Sequence, residues 1–292
     1  MRVFPVKADK AYAVEVVSGS AVSAVADINS VGGSEYPHGR HSLLRLLGNI
    51  KGIIFDFDGT LFDNTRVPFH LIAAWPFDIH RIWKERLVRK RFTGCDYSSS
   101  EEYYNAFFTA LGKACFRSPQ RVRNWYFVHY MPRMVRVLKK HYQLRPGTRE
   151  LFRQFDDSSS APKVAVYSDY PFLKERMEAL GLCPGSDILL YSPESFGAQK
   201  PAVRPFRRIA VDMGAAPEEV LVIGDREETD GLGAFRAGMH FFCLETGRKR
   251  YFRLDPYRRP PIKDEQTQGP SLLMYTGAWD DLNATLTERY FK

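Results

Sequence analysis

Gly52-Ile53-Ile54-Phe55-Asp56-Phe57-Asp58-Gly59-Thr60-Leu61-Phe62-Asp63 decides the reading of this 292-residue chain. An apolar run stops at two carboxylates that flank one residue, and a glycine follows. Side chains of a strand alternate between faces, so Asp56 and Asp58 point the same way while Phe57 points into the fold. The pattern predicts a buried strand that delivers two acids to an edge. The competing reading is an Asp-Gly hairpin turn with solvated acids.

Three later segments supply what paired acids lack, because two carboxylates cannot by themselves hold an anionic substrate. Val164-Ala165-Val166-Tyr167 is a second apolar strand ending in Ser168 and Asp169, and Pro171 opens a helical stretch that runs to Gly181. A hydroxyl with free N–H groups at a helix start makes an anion cradle. Lys200 and Pro201 precede an amphipathic run through Ile209, Val211 and Met213, which sets the lysine at a helix entrance where its ammonium can meet a phosphate. Val220-Leu221-Val222-Ile223-Gly224 ends in Asp225, with Asp230 at the start of a short helix ending near Gly238. Two further carboxylates beside the first pair imply a hard cation bound through oxygen. Taken singly, Ser168 reads as a turn serine and Lys200 as a surface lysine. Asp230 reads equally as a helix cap or as support for a metal, and Asp169 as a turn aspartate or an orienter of the phosphate loop.

In this order, the Asp-x-Asp-Gly-Thr of 56–60, Ser168, Lys200 with Pro201 and the Gly-Asp-x-x-x-x-Asp of 224–230 resemble the haloacid dehalogenase superfamily, in its phosphoglycolate-phosphatase-like branch. The resemblance spans roughly residues 50 to 245. It implies a magnesium-dependent phosphohydrolase acting on a small phosphorylated metabolite. Asp56 would be the nucleophile that forms an aspartyl-phosphate, and Asp58 the acid that protonates the leaving oxygen and then activates water. Gly59, Thr60, Ser168, Asp169 and Lys200 would hold the phosphate, and Asp56, Asp58, Asp225 and Asp230 the magnesium. At 4 Å two unit charges repel by about 4 kcal/mol at an effective dielectric of about 20, so an anionic nucleophile meeting an anionic phosphate needs such neutralisation. The dehalogenase branch lacks an acid at the position of Asp58, which favours phosphoryl transfer here. A phosphotransferase or sugar-phosphate mutase would use the same acids. A non-catalytic polyanion-binding or scaffold protein is a third reading, opposed by the intact acids.

Charge is unevenly distributed. Residues 64–150 hold 17 Lys and Arg against 6 Asp and Glu, a net of +11, and the rest of the chain sums to −3. This basic segment lies between the first and second motifs, where the family places a helical cap. It reads as helices over 77–91, 101–116 and 118–142, with Tyr103, Tyr104, Phe107, Phe108 and Leu111 as a packing stripe, Ser118 as N-cap and a kink at Pro132. Arg81, Arg89, Arg117, Arg121 and Arg123 read as a solvated face; the sharper alternative is that one or two reach a second anionic group on the substrate. A nucleic-acid partner is disfavoured, since no binding module accompanies the basic helices.

Alternating strands near 51–56, 163–168, 187–191, 219–224 and 239–244 and helices near 148–155, 171–180, 202–213 and 230–237 predict an α/β fold. Its core is a Rossmann-like parallel sheet with helices on both faces, comprising 50–63 and 145–292, with a mostly helical cap at 64–144. Residues 272–275 and 279–286 read as a last strand and helix, and 248–268 as an excursion. In the extension 1–49, residues 12–18 and 21–26 suggest a hairpin and 31–39 a linker, with His38 and His41 as loop residues. No apolar run reaches the ~18 to 20 residues a bilayer requires. The start lacks the apolar core of a secretory signal, and Cys95, Cys115, Cys183 and Cys243 lack zinc spacing, so a cytoplasmic protein with reduced thiols and no membrane partner is expected.

Overall fold

A computed structural model describes residues 14–18, 40–246 and 272–292. Its strands are β1 (Val14–Ser18), β2 (Gly52–Asp56), β3 (Lys163–Tyr167), β4 (Ile188–Tyr191), β5 (Val220–Gly224), β6 (His240–Leu244) and β7 (Leu272–Gly277). They form one sheet in the order β1-β7-β6-β5-β2-β3-β4, and every pairing is parallel. Strands β2, β5 and β6 are buried at every position, as expected of strands covered on both faces. The side chains alternate accordingly: Ile53 and Phe55 belong to one hydrophobic cluster and Ile54 to the other.

The chain runs from β2 outward to β3 and β4, and then returns to the other side of β2 to lay down β5, β6 and β7. Open α/β sheets bind ligands at such a reversal, outside the carboxyl ends of the strands. Register sharpens the point. Asp56 pairs with Tyr167 of β3 and Phe55 with Ile223 of β5, so the strand ends that lead into Asp58, Ser168 and Asp225 lie side by side.

Helices α1 (Arg40–Leu47), α2 (Val67–Ala74), α3 (Ile79–Arg91), α4 (Ser100–Cys115), α5 (Pro119–Asn124), α6 (Met131–His141) and α7 (Thr148–Asp157) come first. They are followed by α8 (Leu173–Ala179), α9 (Pro193–Phe196), α10 (Val203–Met213), α11 (Leu232–Ala237) and α12 (Trp279–Phe291). Helices α2 to α6 all lie between β2 and β3. Tyr103, Phe107, Phe108 and Leu111 of α4 are buried, each contributing about 1.5–3 kcal/mol by leaving water. Ser99 caps α4 by accepting the Glu102 N–H, and Ser118 caps α5 by accepting the Arg121 N–H. Pro132 has no N–H to offer the preceding turn. The chain absorbs the defect in a wide turn over Trp125–Tyr130, closed by the Met131 N–H on the Tyr126 carbonyl.

Two N-terminal expectations change. His41 stands on α1, whose Leu43, Leu46 and Leu47 are buried in the core, because this amphipathic turn packs beside α12 rather than forming a loop. Residues 14–18 pair in parallel with β7, a partner distant in sequence; the second hairpin arm, the linker with His38 and the excursion 248–268 lie outside the described residues. Among the described residues no helix is long and apolar enough to cross a membrane.

Candidate active site

Asp56 ends β2 almost fully enclosed. Its Oδ1 accepts from Lys200 Nζ at 2.5 Å and its Oδ2 from Thr60 Oγ1 at 2.9 Å. The same ammonium donates to Asp230 Oδ1 at 2.8 Å, so Lys200, 3% exposed, bridges two carboxylates. Asp230 Oδ2 accepts the Arg226 N–H at 3.3 Å. Asp230 thus caps a backbone amide with one oxygen and faces the acid cluster with the other. Carboxylate oxygens of Asp56, Asp225 and Asp230 lie within 4.8 Å of one another. Burial pushes the Asp56 carboxyl up to about 7, with Lys200 pulling it down and the charges of Asp230 and Asp58 pushing it further up. Burial likewise raises Asp230 against the pull of Lys200. For Lys200 burial favours the neutral amine, but the negative charges of Asp230 and Asp56 prevail and hold it above its ordinary value.

The turn after Asp58 explains its glycine. Gly59 has φ +109°, and a Cβ there would sit 2.5 Å from Asp225 Oδ2. Only glycine allows the backbone to approach that carboxylate. Arg145 pins the turn from outside, donating to the Thr60 and Gly59 carbonyls at 2.8 and 3.0 Å.

Asp58 is held by a residue that sequence reasoning missed. Arg176, fully buried, donates through Nη1 to both Asp58 oxygens at 2.8 Å, and through Nη2 to Ser168 Oγ at 2.6 Å and the Tyr170 carbonyl at 2.8 Å. Its Nε donates to the Pro171 carbonyl at 3.1 Å, and its guanidinium lies 4.8 Å from the Phe57 ring centroid. Ser168 Oγ in turn donates to Asp58 Oδ2 at 2.7 Å and accepts the Tyr170 N–H. A signal was present: Leu173, Arg176 and Met177 form the buried stripe of α8, and a cation on such a stripe demands a buried partner.

This network changes the reading of the second motif. Ser168 is fully buried and does not line the cavity, and α8 starts five residues later, after Phe172 with φ +58°. Of the N–H groups expected to form a cradle there, that of Tyr170 goes to Ser168 and that of Phe172 to Glu194. Asp169 accepts the Lys200 N–H at 3.0 Å, so it positions the lysine's backbone. Asp58 also stands apart from the cation-binding set by its side chain, which is turned to Arg176.

A cavity of about 280 Å³ opens over these groups, reached by Asp56, Asp58, Asp169, Lys200, Arg226 and Asp230 from the sheet edge. Helices α2, α3 and α6 supply the opposite wall. None of the five arginines singled out in the basic segment reaches it. Arg81 pairs with Asp78, Arg123 lies over Phe108 and Phe127, and Arg117 and Arg121 border a separate, more open depression. Arg89 is buried rather than solvated: it pairs with Glu85 and donates to the Tyr126 hydroxyl and the Asp169 carbonyl, tying α3 to the loop beside Lys200. Arg86 is the insert's cation that lines the cavity.

Comparison with known proteins bears on the family and the fold. The family model of haloacid dehalogenase-like hydrolases matches residues 50–238. The chain belongs to that family. Glyceraldehyde 3-phosphate phosphatase of Methanopyrus kandleri is 32% identical over 81 residues, a match covering 28% of this chain and 34% of that relative. A 2-haloacid dehalogenase from Pseudomonas syringae pv. tomato superposes with a TM-score of 0.52 at 19% identity, covering 82% of this chain and 99% of that one. A magnesium-bound family hydrolase from Bacillus subtilis gives 0.51 at 15% identity, with 82% and 99% covered. These structural likenesses establish the fold of this family member.

The acid cluster fits a metal. Asp56, Asp225 and Asp230 offer oxygen alone, and hard divalent cations select such donors. Nitrogen and sulfur donors, which a softer metal would prefer, do not join that set among the described residues.

Proposed function

We propose that this chain is a magnesium-dependent phosphohydrolase that removes phosphate from a small ester through an aspartyl-phosphate on Asp56. The observation that carries the reading is the convergence of Asp56, Asp225 and Asp230 within 4.8 Å, with Lys200 bonded to Asp56. Asp225 and Asp230 would hold the cation together with Asp56, and the main-chain carbonyl of Asp58 would complete the protein's share. Bound there, magnesium neutralises the charge of phosphate and nucleophile.

An Asp56 oxygen attacks phosphorus, and the ester oxygen leaves with a proton that Asp58, a carboxylate in its ion pair with Arg176, first takes up from solvent at the cavity. Asp58 then takes a proton from the water that cleaves the acyl-phosphate. Covalent catalysis of this type divides one hard displacement into two easier ones. Lys200 supplies fixed positive charge at the phosphate, a contribution typically worth on the order of 10² to 10³ in rate. Thr60 and Lys200 fix the nucleophile's two oxygens, and Arg176 with Ser168 fixes Asp58. The presence of Asp58, and the phosphatase named among the relatives, favour phosphate esters over haloacids as substrates, since expelling a halide needs no acid.

Phosphate release from a panel of phosphorylated metabolites, with magnesium and with chelator, tests the proposal. The expected result is magnesium-dependent release that Asp56→Asn abolishes while the fold persists. Activity retained in Asp56→Asn would exclude the covalent route, and transfer to an acceptor without free phosphate would point to a phosphotransferase.

A further inference from the structure

The cavity contains three cations with different surroundings. Lys200 is bonded to Asp56 and Asp230, and Arg226 is paired with Glu228 at 3.2 Å. Arg86, on α3, has no hydrogen-bond or ion-pair partner among the described residues, although the neighbouring Glu85 and Arg89 neutralise each other in the interior. It is exposed and lines the cavity together with Tyr130 and Tyr170, while Val67, Leu71 and Met134 give an apolar stretch of wall. A volume of about 280 Å³ is just below the roughly 300 Å³ at which pockets for drug-sized ligands begin.

We infer that Arg86 is a specificity-determining residue that binds a second anionic group of the substrate, a carboxylate or a second phosphate carried on a short carbon chain. This rests on the phosphohydrolase reading for the placement of the first phosphate at Asp56 and Lys200. A guanidinium fork matches planar or tetrahedral oxyanions through paired N–H donors. Its unengaged charge faces a space whose other cations are already neutralised by acids. A neutral substrate tail would leave that fork without a bond that bulk water otherwise supplies, and an anionic tail would replace the water with a charge-assisted pair.

The test compares esters matched except for the distal group: 3-phosphoglycerate, glycerol 3-phosphate and glycerol 1,3-bisphosphate. For the wild type, kcat/KM is expected to be at least tenfold higher for one of the two doubly anionic esters than for glycerol 3-phosphate, and which one identifies the group. Arg86→Gln is expected to collapse that ratio by about 10- to 100-fold, the range of a hydrogen bond to a charged group. Arg91→Gln, an equal charge change at the end of the same helix, is expected to keep it, which separates direct contact from long-range attraction. A ratio unchanged in Arg86→Gln, or lost equally in Arg91→Gln, would overturn the inference. A binding arm keeps this distinct from the fate of the phosphohydrolase reading. Calorimetry with 3-phosphonopropionate, 1,3-propylenediphosphonate and propylphosphonate needs no turnover, and one of the first two is expected to bind the wild type at least tenfold tighter than propylphosphonate and to lose that advantage in Arg86→Gln. No phosphate release from any ester would refute the reaction while that binding result still decides Arg86.

Discussion

Replacing Arg176 by methionine removes a cation with no contact to solvent from a site where it serves four acceptor groups: the Asp58 carboxylate, Ser168 Oγ and the carbonyls of Tyr170 and Pro171. Methionine fills much of the volume, so the cost comes from acceptors left without a donor rather than from a cavity. Breaking a buried ion pair by deleting one partner costs about 3–5 kcal/mol. The Asp58 side chain is 21% exposed, so water recovers part of its loss and the lower end, about 3 kcal/mol, is expected. At about 2–4 °C per kcal/mol for domains of 150–250 residues, this is a fall in Tm of about 6–12 °C. Thermal unfolding by circular dichroism reads the stability, and single-turnover phosphate release on the folded fraction at low temperature reads the chemistry. There the rate is expected to fall by about 10² to 10⁴, the range of general acid–base help, because Asp58 and Ser168 both lose their support. Arg176→Lys should recover part of the stability but less of the rate, since an ammonium cannot span the same acceptors. A Tm within 2 °C of wild type for Arg176→Met, or unchanged turnover, would refute the view that this guanidinium positions Asp58.

Three further outcomes follow from the same geometry. Gly59→Ala puts a Cβ 2.5 Å from Asp225 Oδ2 at φ +109°, so magnesium-dependent activity should fall more than tenfold; Gly214→Ala, at φ +68° with nothing within 4 Å, should cost only about 1–2 kcal/mol of stability and leave activity intact. Asp56→Asn should raise the Tm of the metal-free protein relative to wild type, and the gap should widen from pH 5 to pH 8. The sign is set by the Asp56 carboxyl, pushed up to about 7 in the fold from an unfolded value of 3.8: between those values the native state binds the extra proton, so wild-type stability from this group declines as pH rises. A gap that narrows with pH would contradict that burial-driven shift. Finally, saturating magnesium should raise the wild-type Tm and largely remove its pH dependence in this window; differential scanning fluorimetry with and without chelator checks it.

Much of this was legible in the sequence because the sheet is buried on both faces. Continuous apolar runs ending in acids mark β2, β3 and β5, and the aromatic stripe of α4 marks a packed face by its spacing alone. Asp56, Lys200 and Asp225 stand out because each lies at a strand end or a helix entrance. What stayed hidden depends on tertiary pairing. Ser168 belongs to the second motif, but that its proton goes to Asp58 is decided by Arg176 lying across from it, eight residues later and on another element. Arg89 resembles its solvated neighbours in the basic segment, and only Glu85 at the i−4 position, buried with it, marks the interior pair. Arg86 and Arg89 differ by a little less than one helical turn, so the chain gives no means of telling a cavity wall from a core contact until α3 is docked.

The charge balance of the cluster ties these observations together. Three carboxylates within 4.8 Å, all at most 7% exposed, face one bridging ammonium. Arg226 approaches Asp230 through its backbone amide and gives its guanidinium to Glu228, and Arg176 is committed to Asp58. Asp56 and Asp230 therefore hold more negative charge than the one ammonium they share can neutralise, and burial expresses the surplus as a raised affinity for protons at both. Protons and a divalent cation compete for the same surplus, so metal binding should release protons near neutral pH, and its apparent affinity should rise with pH until Asp56 is fully ionised. Calorimetric titrations of magnesium in buffers of different ionisation enthalpy measure that release. A proton count near zero at pH 6.5 would mean that the cation does not displace the Asp56 proton, and would remove the electrostatic basis for placing it there.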